Sequence, residues 1–209
     1  MIALCLQTCD RFDLTVRTLE TFAAHNDLKK FRLLHADDAS TDQYSMRELI
    51  TSYGFRTVVQ TGERLGCTMV RWALISAAVR RGADWILLLE NDIETLRPFP
   101  WPLFEYAAKQ KTVYCLRLYG RFKDLDRRDP CLTTHKHRGH VPVQWRPFRG
   151  APEASQIGEI HWSAQPAVTR SKLLLDHHRT GAEPEGWTVR VKKNVMAHIG
   201  WERTPGRLM

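Results

Sequence analysis

The stretch Trp85-Ile86-Leu87-Leu88-Leu89-Glu90-Asn91-Asp92-Ile93-Glu94 constrains this chain most. An unbroken apolar run of this length is what a strand buried on both faces of a parallel sheet requires. It ends abruptly in carboxylate, amide and carboxylate. Burying a bare charge is costly, so this acidic group belongs at the strand's carboxyl edge, open to solvent or ligand. In open α/β sheets that edge is where ligands bind. A hard oxygen donor such as Asp92 suits Mg²⁺ or Mn²⁺, especially when phosphate oxygens complete the coordination. A strand running into a solvated acidic turn is the plainer alternative.

The preceding sequence repeats the design. Ile2 to Leu6 reads as a buried first strand running into the polar turn Gln7-Thr8-Cys9-Asp10-Arg11. Phe12, Val16, Leu19 and Ala23 then recur at helical spacing, with Asp10 or Asp13 as the expected cap. A second strand, Phe31 to Ala36, also runs into acid at Asp37-Asp38-Ala39-Ser40-Thr41-Asp42. Met46, Leu49, Ile50 and Tyr53 mark a second helix, capped by Thr41 or Asp42 and ended by Gly54. Phe55 to Gln60 is a third strand, and 61–66 a turn-rich loop. Val70, Ala73, Leu74 and Ala77 predict a third helix that stops near Gly82. Strand and helix alternate as in βαβ units, which argues for a mostly parallel sheet flanked by helices.

The second half is less regular. The connection Arg97-Pro98-Phe99-Pro100-Trp101-Pro102 continues neither strand nor helix, and a short helix is expected over 103–109. Residues 112–119 alternate as a strand. From Gly120 to Gly150 the chain turns basic and irregular, with Arg121, Lys123, Arg127, Arg128, Lys136, Arg138, Arg146 and Arg149 interleaved with Phe122, Trp145 and Phe148. Cations mixed with aromatics suit a surface that tracks phosphates and stacks bases; a solvated loop is the alternative. Cys131, His135, His137 and His140 fit no common structural zinc spacing. Residues 159–170 return to strand-like order, with a short helix over 171–177 and a final strand near 194–201.

With 209 residues, 43% hydrophobic and 26% charged, the chain is expected to form one domain with a sizeable core. No apolar run approaches membrane-spanning length, and the first residues do not read as a signal peptide. Five scattered cysteines without a C-x-x-C suit reduced thiols, so a cytoplasmic chain is expected, or one in a host's cytoplasm if viral. A net charge of +8 favours polyanionic partners: nucleic acid, an anionic membrane face or a phosphorylated substrate.

Four segments, in order, resemble the GT-A glycosyltransferases, and in particular the inverting family-2 enzymes. They are Gln7 to Arg11; Ala36 to Asp42, close to an Asp-Asp-Gly-Ser-Thr-Asp motif with Ala39 in place of Gly; Leu65-Gly66 with Arg71-Trp72-Ala73; and Glu90-Asn91-Asp92 in place of a metal-binding Asp-x-Asp. The resemblance implies a single GT-A, Rossmann-like α/β domain over 1–209, with a nucleotide-binding half (1–96) and an acceptor half (97–209) carrying the basic insertion. It implies that Thr8, Arg11, Asp38, Arg71 and Asn91 meet the nucleotide, with Asp38 accepting from the base. Asp92 and Glu90 would hold Mn²⁺ or Mg²⁺, joined by the late His198. The acceptor side would include His161, Trp162, Arg121, Trp145 and Arg149, and the basic tail from Glu202 to Arg207 would form a lid.

An inverting transferase needs a carboxylate base, for which Glu185, or otherwise Glu183, is the candidate. The implied reaction moves a sugar from a nucleoside diphosphate donor, such as a UDP-sugar, to an acceptor hydroxyl. Net charge and the Arg/aromatic segment make nucleic acid a credible acceptor, for example a hydroxymethylated base flipped from viral DNA. Small-molecule and glycan acceptors are alternatives. Two rival classes are a nucleotidyltransferase, against which the Gly-free Gln7–Arg11 turn counts, and a non-catalytic nucleic-acid-binding module on the same fold.

Overall fold

The computed structural model describes residues 1–118, 146–147, 149–151, 155–159, 167–180, 187–191 and 195–199. Its first half follows the alternation read above: β1 (Ile2–Thr8), α1 (Phe12–His25), β2 (Arg32–Asp37), α2 (Gln43–Ser52), β3 (Arg56–Gln60), α3 (Cys67–Arg80) and β4 (Trp85–Glu90). Then come β5 (Ile93–Thr95), α4 (Trp101–Lys109), β6 (Val113–Arg117), β7 (Arg146–Pro147), β8 (Ser155–Glu159), β9 (Ala167–Arg170), α5 (Ser171–Thr180), β10 (Trp187–Val191) and β11 (Met196–His198).

Among the described residues nine strands form one sheet in the order β3-β2-β1-β4-β9-β6-β10-β8-β7, and β5 pairs with β11 in a separate ribbon. The pairings of β1 through β4 are all parallel. Of the nine strands only β9 and β8 run against the rest, so the sheet is mostly parallel. β9 enters antiparallel between β4 and β6, with Val168 wholly buried. β10 was not anticipated from sequence; its five residues are too short to show a period of their own.

β1 explains the core. All seven of its residues are buried, and alternate side chains serve opposite faces. Ile2, Leu4 and Leu6 join Trp85, Leu87 and Leu89 of β4 under Leu19 and Phe22 of α1, Met46 and Ile50 of α2, and Leu103 and Phe104 of α4. Ala3, Cys5 and Ile86 face Val70, Leu74, Ile75 and Ala78 of α3 and Leu174 of α5. The continuous apolar run of β4 thus has one helical layer on each side. Phe99 and Trp101, in the Pro-rich connection, meet at 4.7 Å with their rings tilted by 59° and pack on Phe31, anchoring that stretch in the core.

Helix ends bring corrections. Neither Asp10 nor Asp13 caps α1: the cap position is Arg11, left-handed at φ 53 and ψ 50, with no side-chain cap. Asp10 is occupied elsewhere, its carboxylate accepting from the Thr41 amide at 2.7 Å. Asp42 does cap α2, accepting from Ser45 N–H at 3.0 Å. α4 starts at Trp101, earlier than expected, with Pro102 in the first turn, where a helix needs no amide donor. α5 runs on to Thr180, past the expected His177.

Candidate active site

Strand register assembles the site. Thr8 of β1 lies opposite Asp37 of β2, and Gln7 lies opposite Glu90 of β4. The parallel strands therefore release their polar ends at one level: the 8–11 turn, the Asp37-Asp38 pair and Glu90-Asn91-Asp92 share an edge. α3 starts beside them, its first residue held by a bond from Gln7 Nε2 to the Cys67 carbonyl at 3.2 Å.

Asp37 is the hub of a buried network. Its Oδ1 accepts from Thr8 Oγ1 at 2.6 Å and from Ser40 Oγ at 2.5 Å, and its Oδ2 accepts from the Ser40 amide at 3.0 Å. Because the Thr8 hydroxyl is spent on Asp37, it must accept from His35 Nε2, 2.9 Å away. His35 Nδ1 is then the acceptor for the Thr57 hydroxyl at 3.0 Å. Burial lowers the His35 pKa from 6.5 to about 4, opposed by the Asp37 carboxylate. A ring held neutral in this way fits both contacts, Nε2 donating to Thr8 and Nδ1 accepting from Thr57.

Asp38, the expected base contact, is 3% exposed. Its Oδ1 accepts from the Leu65 amide at 2.8 Å and its Oδ2 from the Gly66 amide at 3.0 Å. It thereby pins the loop that leads into α3. Gly66 adopts φ 86 and ψ 152, a region closed to residues with a Cβ. Ala39, standing where the resembled motif has Gly, is left-handed at φ 51. A glycine would adopt this backbone without the strain that the methyl group brings.

Three arginines meet the acids of the edge. Arg11 Nη1 lies 2.7 Å from Asp92 Oδ2, and Arg71 Nη2 lies 2.6 Å from Glu90 Oε1. Arg64 pairs with Asp10. The Thr41 amide holds the Asp10 carboxyl below the usual carboxylate range, with Arg64 adding to the effect. Asn91 Nδ2 donates to the Asp10 carbonyl at 3.0 Å, tying the β4 edge to the 8–11 turn. Among the described residues, five carboxylates (Asp10, Asp37, Asp38, Glu90 and Asp92) thus lie with three guanidiniums at this edge.

Thr8, Arg11, Asp38, Arg71, Glu90, Asn91 and Asp92 are thus gathered at one edge. His198 ends β11, opposite Ile93, and the next amide, Ile199 N–H, donates to the Asp92 carbonyl at 2.8 Å. The backbone so brings His198 beside Asp92 from more than a hundred residues away; its side chain lies outside the described set. Arg149 is exposed, and its carbonyl accepts from Tyr106 of α4 at 2.9 Å. Glu183, Glu185, His161, Trp162, Arg121 and Trp145 lie outside the described residues, as do Cys131, His135, His137, His140 and the tail. Sequence reasoning passed over Asp37, Asp10, His35 and Arg64. For Asp37 the signal was present, since it ends a strand, but two adjacent acids do not reveal which one turns inward.

Among the described residues no three His, Cys, Asp or Glu side chains gather as a metal cage. Mg²⁺-type sites need less: one or two carboxylates suffice when phosphates supply further oxygens. Glu90 and Asp92 are such oxygen donors, close together at the end of β4. The residues therefore fit a divalent ion bound together with a diphosphate.

This architecture is the GT-A-like glycosyltransferase fold. Among similar solved structures, a mycobacterial protein shares 16% identity at a TM-score of 0.56, over 99% of this chain and 68% of that one. The 1–349 fragment of S. aureus TarS in complex with UDP shares 10% identity at a TM-score of 0.56, over 93% of this chain and 59% of the fragment. A longer S. aureus TarS structure matches at 11% identity and a TM-score of 0.56, and this chain spans 36% of it. No family model matches the chain, and no curated protein does. No helix among the described residues is long and apolar enough to cross a membrane.

Proposed function

We propose that this chain transfers a sugar from a nucleoside diphosphate donor to an acceptor hydroxyl. The observation that carries the reading is the register of β1, β2 and β4, which ends Thr8, Asp37 and Glu90 at one edge of a GT-A-like sheet, where Arg11 meets Asp92 and Arg71 meets Glu90. The similar TarS fragment binds UDP, which supports a UDP-sugar as donor here. Asp38 and the Leu65-Gly66 loop that it pins would frame the base. Arg71 would turn its planar fork from Glu90 to the diphosphate oxygens.

Asp92, with Glu90 and His198, would hold Mn²⁺ or Mg²⁺, which when bound offsets charge on the departing diphosphate. The arginines add to that electrostatic stabilisation. Glu185, or else Glu183, would take the proton from the acceptor hydroxyl, giving inversion at the sugar carbon. His161, Trp162, Arg121, Trp145 and Arg149 would line the acceptor side. With a net charge of +8 the favoured acceptor is a nucleic acid, such as DNA bearing hydroxymethylated bases.

A second reading, a nucleic-acid-binding module without catalysis, draws on one observation: both expected metal carboxylates already carry an arginine. One assay separates the two. Purified protein is given Mn²⁺ or Mg²⁺ and a panel of nucleotide sugars, with and without hydroxymethylated DNA, and released nucleoside diphosphate is measured for wild type and Asp92→Ala. Release from one donor, lost in Asp92→Ala and raised by DNA, is the expected result. Release unaffected by DNA moves the acceptor to a small molecule or glycan. Silence with every donor, together with salt-sensitive DNA binding, sinks the transferase reading.

A further inference from the structure

Asp92, proposed as a ligand of a divalent cation, already has a cation on it. Arg11 Nη1 sits 2.7 Å from Asp92 Oδ2, and the two differ sharply in exposure: the Asp92 side chain is 6% exposed and that of Arg11 is 48% exposed. The guanidinium therefore covers the solvent side of a carboxylate that is otherwise enclosed.

The backbones on both sides are held. The Asp92 carbonyl accepts from Ile199 N–H at 2.8 Å, and the turn that carries Arg11 is fixed by Asn91 Nδ2 on the Asp10 carbonyl and by the Asp10 amide on Ser40 Oγ at 2.8 Å. Asp10 and Arg11 both sit in the left-handed region, at φ 51 and φ 53. Such conformations in residues with a Cβ persist where the surroundings impose them. Here they aim the Arg11 side chain back across the strand edge rather than out along α1. What remains free to move is the half-exposed Arg11 side chain.

We infer that Arg11 is a resident cation that competes with the divalent metal for Asp92, so that metal binding requires Arg11 to swing away. The inference rests on the donor-and-metal reading of this edge. Asp92 Oδ1 is buried, so Oδ2, which Arg11 holds, is the oxygen open to a cation; a guanidinium and a divalent ion cannot share it at bonding distance without strong repulsion. An incoming diphosphate relieves the conflict, because it gives the released fork a bidentate partner. Metal and donor should therefore bind with positive coupling: each removes the obstacle to the other. Without donor, Arg11 keeps Asp92 neutralised and the metal affinity low.

The test measures Mn²⁺ binding directly, by the loss of the free-ion EPR signal, in the protein alone and with UDP. Arg11→Gln is expected to bind Mn²⁺ roughly tenfold tighter than wild type without UDP, and to lose most of the gain that UDP gives wild type. Arg17→Gln, which removes a charge from the helix that Arg11 precedes and breaks the pair with Glu94, is expected to stay within about twofold of wild type. Asp92→Asn is expected to abolish binding. If Arg11→Gln folds poorly, Arg11→Lys keeps the charge but not the fork and is expected to fall between wild type and Gln; Mn²⁺-induced rises in Tm follow the same order.

If Arg11→Gln binds no tighter than wild type while Asp92→Asn still abolishes binding, the competition is refuted and the metal site stands. An equal gain in Arg17→Gln also refutes it, since general charge then explains the effect. If no protein binds Mn²⁺ even with UDP, the donor-and-metal reading falls, and the inference falls with it.

Discussion

The Thr8 hydroxyl donates to Asp37 Oδ1 at 2.6 Å, joining residues that close adjacent strands at the same level. The bond belongs to a relay from Thr57 through His35 and Thr8 to Asp37, which also receives the Ser40 hydroxyl and amide. Asp37 therefore organises the edge, while Asp38 beside it reaches the α3 loop.

Asp37→Ala leaves the Thr8 and Ser40 donors without their acceptor in a buried site. The cost is expected to be about 2–4 kcal/mol, since unsatisfied buried groups near a charge are expensive. Asp37→Asn, which keeps an acceptor oxygen, is expected to cost less than half as much. Urea unfolding midpoints check both; a loss under ~0.5 kcal/mol for Ala contradicts the hub role.

His35 makes stability depend on acid. Burial depresses its folded pKa to about 4, below the 6.5 of the unfolded side chain. The unfolded chain thus binds the extra proton first, so stability is full above about pH 6.5 and is lost as pH falls toward about 4. The loss from this group approaches roughly 3 kcal/mol. Thermal scans from about pH 7.5 to about pH 4.5 should show the fall in wild type and a flatter profile in His35→Gln. Equal slopes would assign the acid sensitivity to other groups.

Two backbone positions should respond in opposite directions. Ala39→Gly relieves a left-handed alanine and is expected to stabilise the protein by about 0.5–1 kcal/mol. Gly66→Ala meets open space but a forbidden backbone, so about 1–3 kcal/mol is lost and the grip of Asp38 on the Gly66 amide loosens. The pair is read by Tm. Stabilisation by Gly66→Ala would show that the loop does not hold this geometry in solution.

Arg71 is more enclosed than Glu90, with side-chain exposures of 12% and 35%. Arg71→Lys keeps the charge and loses the fork. The donor KM is expected to rise about tenfold with thermal stability little changed. An unchanged KM would remove Arg71 from the donor site.

Much of this could be read locally. Apolar periods located β1 to β4 and α1 to α3 to within a few residues, because each element shows its own repeat over a short span. Acid at the ends of β2 and β4 marked the edge, since a carboxylate sits inside a sheet only where donors hold it, as they hold the buried Asp37. The Asp42 cap was legible for the same local reason, its bond reaching only three residues ahead.

What the sequence by itself determined, then, was the alternation of elements and the chemistry available at their ends. Only the tertiary structure decided who meets whom. Arg11 reaches Asp92 across 81 positions, Arg64 reaches Asp10 across 54, and Asp38 holds an amide 28 positions away. The insertion of β9 between β4 and β6 was likewise decided at this level. Such pairings follow from strand order and register, which whole faces of side chains set together by burying apolar surface. No short window of sequence contains that information, so adjacent Asp37 and Asp38 looked alike until the sheet turned one toward Thr8 and the other toward α3.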